Sequence, residues 1–186
     1  MNLWFRLFWL LLTARFRPRL AMPEQASDLS FQVWPHDLDT SLHMNNGRYW
    51  SLMDLGRTDL VLRSGLWRAI LRYRWLPVVN AGTIRFRREL RAFRKFRLET
   101  RILCWSEHWL VIQHRVLTAN RRGDEILAAI ALVRAAIYDR QAKAYVPVAR
   151  LLGEMGVEGQ SPEPNPEVAA FLASEQVLRE ATATPR

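Results

Sequence analysis

The spacing of apolar residues changes period along the chain. Phe31-Gln32-Val33-Trp34 alternates apolar and polar positions, the pattern of a half-buried strand, and Pro35 ends it because proline has no N–H for a ladder. Asn45 or Asn46 is a natural N-cap for a helix. Tyr49, Leu52, Met53, Gly56, Leu60 and Val61 then recur at helical spacing, which predicts one helix to about Ser64 with Gly65 as its C-terminal stop. A basic helix or loop covers residues 66–75. From Pro77 the period falls to two: Val79, Ala81, Thr83, Arg85 and Arg87 share one strand face, and Ile84 and Phe86 the other. Further strands are predicted over 96–105, 109–117 and 125–138. The turns between them fall at Ser106-Glu107-His108 and at Asn120-Arg121-Arg122-Gly123-Asp124. Strands joined by such short turns are antiparallel. Residues 153–166, rich in Gly, Pro, Glu and Ser, read as a linker. Residues 166–180 read as a short amphipathic helix carrying Val168, Phe171, Leu172 and Leu178.

One strand, one long apolar helix and a run of antiparallel strands define an α+β class in which the sheet covers a single helix. A chain of 186 residues fits one domain with a sizeable core. The expected division is an apolar and basic extension over 1–28, the domain over 29–150, and a linker with a C-terminal helix over 151–186. The extension is apolar from Leu3 to Leu12 except at Arg6, and Arg15, Arg17 and Arg19 come after it. That run is shorter than the ~20 residues needed to cross a bilayer. Its charge comes after the apolar stretch, the reverse of a secretory signal. Trp4, Phe5, Phe8 and Trp9 beside arginines fit a helix lying in a membrane interface through residues 1–20. A helix packed on the domain or on a second copy fits equally.

Composition narrows the chemistry. The net charge of +9 is almost all arginine, since Lys95 and Lys143 are the lysines. Arginine's planar fork suits phosphate, so nucleic acid, an anionic membrane or a phosphorylated small ligand would each use it. The stretch Arg85, Arg87, Arg88, Arg91, Arg94, Lys95, Arg97 interleaved with Phe86, Phe93 and Phe96 is the densest part. It carries no nucleic-acid-binding motif, so no nucleic-acid partner is expected. The one cysteine, Cys104, lies in an apolar run and reads as a buried structural thiol. No pair of histidines has metal-ligand spacing, so neither metal nor resident cofactor is expected.

The remaining chemistry is concentrated between the first strand and the long helix. Asp37-Leu38-Asp39-Thr40-Ser41-Leu42-His43-Met44-Asn45-Asn46 packs two carboxylates, an imidazole and two carboxamides into ten positions. Buried polar groups are costly unless bonded or used. A helix start also presents unpaired N–H groups that suit a developing oxyanion. From the residues alone, a capping-and-turn cluster accounts for the segment as well.

The order Asp-Leu-Asp, three residues, His-Met-Asn-Asn and then Tyr49 resembles the hotdog-fold acyl thioesterase superfamily. That family includes the 4-hydroxybenzoyl-CoA thioesterases and the plant acyl-ACP thioesterases. The likeness continues through Gly47-Arg48-Tyr49-Trp50, Gly65-Leu66 and residues 98–105, over roughly 30 to 180. It is nearest to the thioesterase superfamily member 6-like group, where a membrane-proximal apolar N-terminus also occurs. The resemblance implies a hotdog fold, a central helix wrapped by an antiparallel sheet, in a homodimer or homotetramer. It also implies hydrolysis of an acyl-CoA or acyl-ACP thioester, with coenzyme A present only as part of the substrate. Asp39 matches the carboxylate that acts as base or nucleophile, and His43 the histidine of the plant enzymes. Those enzymes carry Asp-x-Asn-x-His; Ser41 stands here in place of that asparagine. Ser41, Asn45, Asn46, Gly47 and Tyr49 are the expected substrate-binding residues, and backbone N–H groups at Asn45 to Gly47 the expected polarisers of the carbonyl. Asp37 is expected to brace the loop, and Glu89 and Glu99 are candidates for a second acid. The expected location is the cytoplasm, at the membrane periphery if the N-terminal helix docks. A non-catalytic acyl-binding hotdog protein and an acyl-CoA dehydratase or hydratase are the rival readings.

Overall fold

The computed structural model describes residues 2–183. Helix α1 (Asn2–Ala14), strand β1 (Ser27–Gln32), a single 3-10 turn (Pro35–Asp37), the long helix α2 (Asn46–Ser64) and helix α3 (Trp67–Tyr73) come first. Strands β2 (Trp75–Phe86), β3 (Lys95–Trp105), β4 (Leu110–Ala119), β5 (Glu125–Asp139) and β6 (Ala144–Tyr145) come next, then helices α4 (Val148–Met155) and α5 (Pro166–Ala181). All strand pairs are antiparallel, in the order β1-β3-β4-β5-β2, with β6 beside the end of β5. The hairpin series β3–β4–β5 forms the middle, and β1 and β2 add to its opposite edges. The chain between β1 and β2 must therefore cross the sheet, and α2 is that crossing segment. This is the hotdog arrangement that the motif implies.

Burial of α2 makes the core. Tyr49, Leu52, Met53 and Leu55 pack with Phe96, Leu98, Val116, Ala128, Ala129 and Ala131 of the sheet. The approach is closest at Gly56, where a Cβ would sit 2.3 Å from Thr100 Oγ1 on β3. Gly65 ends α2 in the left-handed region at φ 87°, which glycine adopts without a Cβ penalty. Strand β2 begins at Trp75 and carries Pro77, tolerated there because β2 is an edge. A bulge between Val79 and Ala81 interrupts the two-residue alternation read across that stretch.

Polar groups under α2 are paired. Asp59 is fully buried; Ser27 Oγ donates to it at 2.6 Å, and Arg17 and Arg63 approach it at 2.8 and 3.2 Å. His114 of β4 is also fully buried, between Arg57 (2.9 Å from Nε2) and Thr100 (3.0 Å from Nδ1). Arginine can only donate, so Nε2 accepts and Nδ1–H donates to Thr100 Oγ1. Burial, reinforced by the Arg57 charge, holds the His114 imidazole well below its usual titration range.

The terminal segments pack on the domain. One face of α1 packs through Leu3, Leu7 and Leu10 on the main core, while Trp4, Phe5, Phe8 and Trp9 face outward. Helix α4 was not legible as an element. It runs into the stretch read as linker and buries Val148, Leu151 and Leu152 at positions three and four apart. Helix α5 packs Val168 and Phe171 against Cys104, Val111 and Leu132.

His114 makes the stability of the fold pH-dependent in a definite sense. Its folded pKa lies far below 6.5, so below that value only the unfolded chain takes up the proton. The stabilisation is complete above pH 6.5 and is lost as pH falls, by at most about 1.4 kcal/mol per pH unit. His114→Gln should be less stable at neutral pH but should flatten this component in urea midpoints measured from about pH 7 to about pH 5.

Candidate active site

Residues 37–45 form a short closed hairpin. Asn45 N–H donates to Asp37 O at 2.9 Å, Asp39 N–H to His43 O at 2.9 Å, and Leu42 N–H to Asp39 O at 3.1 Å. Leu42 turns the tip with φ 60°, and Leu38 bridges Met44 across the arms. The hairpin is stitched to the β2–β3 connection by Met44 N–H to Leu90 O at 2.8 Å and by the bridge of His43 with Arg91.

This folding brings Asp39 and His43 together. His43 Nδ1 lies 3.3 Å from Asp39 Oδ2, and both side chains are partly exposed. At that distance the carboxylate and the imidazole stand within ion-pair range of each other. Asp39 Oδ1 also accepts the Ser41 N–H at 2.9 Å. The position where the plant enzymes carry asparagine thus contributes a backbone donor to the acid, and the Ser41 side chain is exposed.

The start of α2 lies at the base of the hairpin. Asn45 is the N-cap, its Oδ1 accepting Gly47 N–H at 2.8 Å, and Arg48 N–H donates to Asn45 O at 2.9 Å. With Asn45 N–H directed to Asp37, the amides of Asn45, Gly47 and Arg48 are all engaged. Asn46 N–H, by contrast, has no acceptor among the described residues. Of the amides expected to polarise a carbonyl, Asn46 is the one left open at the positive end of the helix. Tyr49 points into the core and packs edge-on against Phe86 at 5.0 Å; burial pushes its phenol up to about 12.

Asp37 braces the loop and is almost completely buried. Its Oδ2 accepts from Trp34 N–H at 2.9 Å and from the Arg6 guanidinium at 2.7 Å. Arg6 is a residue the motif could not disclose; its signal is a single charge within an apolar run. Glu89 pairs with Arg91 at 2.7 Å and Glu99 with Arg115 at 3.2 Å, so each candidate second acid is engaged with an arginine. His108 lies 3.5 Å from Glu107 in the β3–β4 turn. Cys104 is buried, which raises its thiol pKa, as befits a structural side chain. Among the described residues, no cluster of three His, Cys, Asp or Glu side chains is suited to a metal ion.

Two further features surround the hairpin and α2. Arg85, Arg87, Arg88, Arg91 and Arg94 are exposed along the end of β2 and the connection that bridges His43. Further along α2, a mostly apolar cavity of about 510 Å³ is lined by Leu60, Val61, Ile102, Leu110, Leu151 and Met155, with Asp54 and Arg57 on its polar side.

A long helix held across an antiparallel sheet of this strand order defines a hotdog protein. The chain belongs to the thioesterase-like superfamily, whose family model matches residues 33–172. Protein THEM6 of Xenopus laevis is 34% identical over 123 residues, which cover 66% of this chain and 58% of that one. A probable thioesterase of Saccharomyces cerevisiae is 30% identical over 83 residues, covering 44% of this chain and 36% of its own. The chain thus matches little more than half the length of the first relative and about a third of the second. The structure of 4-hydroxybenzoyl CoA thioesterase from Pseudomonas sp. strain CBS-3 superposes with a TM-score of 0.62 at 17% identity, over 70% of this chain and 99% of that one. At that identity the likeness establishes the fold.

Asn45 holds both the hairpin exit and the helix start. Asn45→Ala should cost about 1 kcal/mol of stability, the usual value of an N-cap side chain, read as a lower thermal midpoint. Asn45→Asp, which keeps the acceptor, should recover most of it.

Proposed function

We propose that this chain hydrolyses an acyl thioester, with coenzyme A as carrier. The observation that carries the reading is the 3.3 Å Asp39–His43 pair beside a helix start whose Asn46 N–H is open. The thioester carbonyl oxygen accepts from Asn46 N–H, where the helix dipole favours the charge that develops as the carbon becomes tetrahedral. Asp39 either removes a proton from the attacking water or attacks the carbon itself, giving an anhydride that water then opens. In both routes the C–S bond breaks, the thiol leaves with a proton, and the acid remains. In the first route the proton that Asp39 takes from the water is passed on to the sulfur, with His43 close enough to relay it; in the second the thiolate is protonated by the water that opens the anhydride. The acyl chain lies along α2 towards the apolar cavity, whose first lining residue on that helix is Asp54, about 12 Å beyond Asn46 at the helical rise per residue.

Three features support the expected partners. The exposed arginines between Arg85 and Arg94 adjoin the hairpin and match the phosphates of coenzyme A. Strand β2 is an edge strand with a free side among the described residues, and pairing with the β2 of a second copy would cover it in a homodimer. The outward face of α1 carries Trp4, Phe5, Phe8, Trp9, Leu11 and Leu12, all exposed, and exposed Phe16 follows in the next turn beside Arg15 and Arg19. Such a face fits the interface of an anionic membrane, and no helix among the described residues is long and apolar enough to cross one.

Thiol release from a panel of aliphatic and aromatic acyl-CoA esters tests the reaction. Wild type should turn over at least one ester, and Asp39→Asn should lower kcat at least a hundredfold, at the low end of what a positioned acid or base contributes, roughly 10²–10⁴. Buffer-level rates for both proteins on every ester would remove hydrolysis and leave acyl binding. Membrane contact is tested by co-sedimentation with phosphatidylcholine–phosphatidylserine vesicles. The full chain should pellet, and the combined Trp4→Ser, Phe8→Ser, Trp9→Ser variant should stay in solution. Substitution is the sound choice because deleting α1 would also remove its packed face; a wild type that remains in the supernatant refutes the contact.

A further inference from the structure

Arg6 lies upstream of residues 33–172, the part of the chain that matches the superfamily, so nothing about the family assigns it a role. It is the one charge in the apolar stretch of α1, and it points inward. Its guanidinium donates to Gln32 O at 2.9 Å and to Asp37 Oδ2 at 2.7 Å, and lies over the Phe31 ring at 5.7 Å. Asp37 in turn holds both ends of the hairpin. Its Oδ2 accepts the Trp34 N–H on the entry side, and its carbonyl accepts the Asn45 N–H on the exit side. The carboxylate is 1% exposed, and its Oδ1 has no hydrogen-bond partner among the described residues. Arg48 Nε and the His36 imidazole Nε2 stand at 3.7 Å from it. Arg6 thus gives Asp37 a short charge-assisted hydrogen bond.

We propose that Arg6 is a positioning residue for the Asp39–His43 site, acting through Asp37 from a helix that precedes the matched domain. Without Arg6 the Asp37 charge is buried and poorly compensated. The cheapest relief is for the hairpin base to open and admit water. Opening the base releases the Asn45 N–H and lets the two arms shift, and these arms carry the acid and the imidazole. Arg6 itself touches no reacting group. Its loss changes how often the site is assembled, which lowers kcat and leaves the affinity for the carrier largely unchanged.

The inference rests on the hydrolase reading only for its kinetic arm. Arg6→Ala and Arg6→Lys are compared with wild type in the full chain, by amide hydrogen exchange and by dodecanoyl-CoA turnover. In Arg6→Ala, exchange over residues 37–45 should rise about tenfold or more while the amides of β4 keep their protection, the signature of local opening. Its kcat should fall about tenfold with KM within about twofold. Arg6→Lys, which keeps the charge, should recover most of both. Exchange over 37–45 that stays at the wild-type level overturns the proposal, as does a uniform rise across all strands, which marks a general stability role. If Arg6→Ala does not fold, Arg6→Gln, which keeps a donor without the charge, is judged by the same outcomes. If the wild type does not turn over any thioester, the hydrolase reading falls and the exchange data alone decide the clamp.

Discussion

The close seating of α2 on β3 governs the rest of the molecule. At Gly56 the helix backbone approaches Thr100 so nearly that a methyl group would collide with its hydroxyl. That contact has two consequences. A 19-residue helix about 28 Å long is held across the sheet, which fixes its N-terminus beside the hairpin of Asp39 and His43. The polar groups trapped beneath it must also find partners within the protein, because water is excluded. Thr100, His114 and Arg57 form one such chain of bonds, and Asp59, Ser27, Arg17 and Arg63 form another.

The arginine content acquires a different meaning in this setting. Arg6, Arg17, Arg63 and Arg97 are committed to Asp37, Asp59, Asp28, Glu99 and Glu125 inside or along the fold. Arg6–Asp37, Arg17–Asp59, Arg97–Asp28 and Arg97–Glu125 tie together segments far apart in sequence. Such pairs are neutral, so the net +9 rests on the remaining basic side chains, and much of it sits at the end of β2 and the connection after it. A basic composition here describes internal assembly as much as an external surface.

The long helix and the three-strand meander were legible because period, caps and turn residues agree along each of them. Gly65, which adopts a positive φ, and the Asn120–Asp124 turn are local signals that no tertiary contact overrides. Helix α4 was hidden because it is eight residues long, contains Gly153 and runs straight into a Gly- and Pro-rich stretch. At the site, the motif singled out Asp39 and His43 through family likeness, and their pairing is a product of the hairpin. The open Asn46 amide was invisible in principle, since every residue but proline carries the same donor. Only the engagement of its neighbours distinguishes it. The Arg6–Asp37 pair joins residues 31 positions apart, and nothing in the apolar run around Arg6 announces its partner.

The stitching of the hairpin to the β2–β3 connection bears on how such proteins diversify. His43 is bridged to Arg91, and Met44 to Leu90, so the imidazole is registered against a surface turn as well as against its own loop. Surface turns gain and lose residues more readily than cores do. An insertion near residue 90 would therefore move His43 relative to Asp39 as effectively as replacing it, while every signature residue stayed in place. In this architecture an intact motif is no guarantee of an intact constellation, and the length of a neighbouring turn is part of what specifies the candidate site.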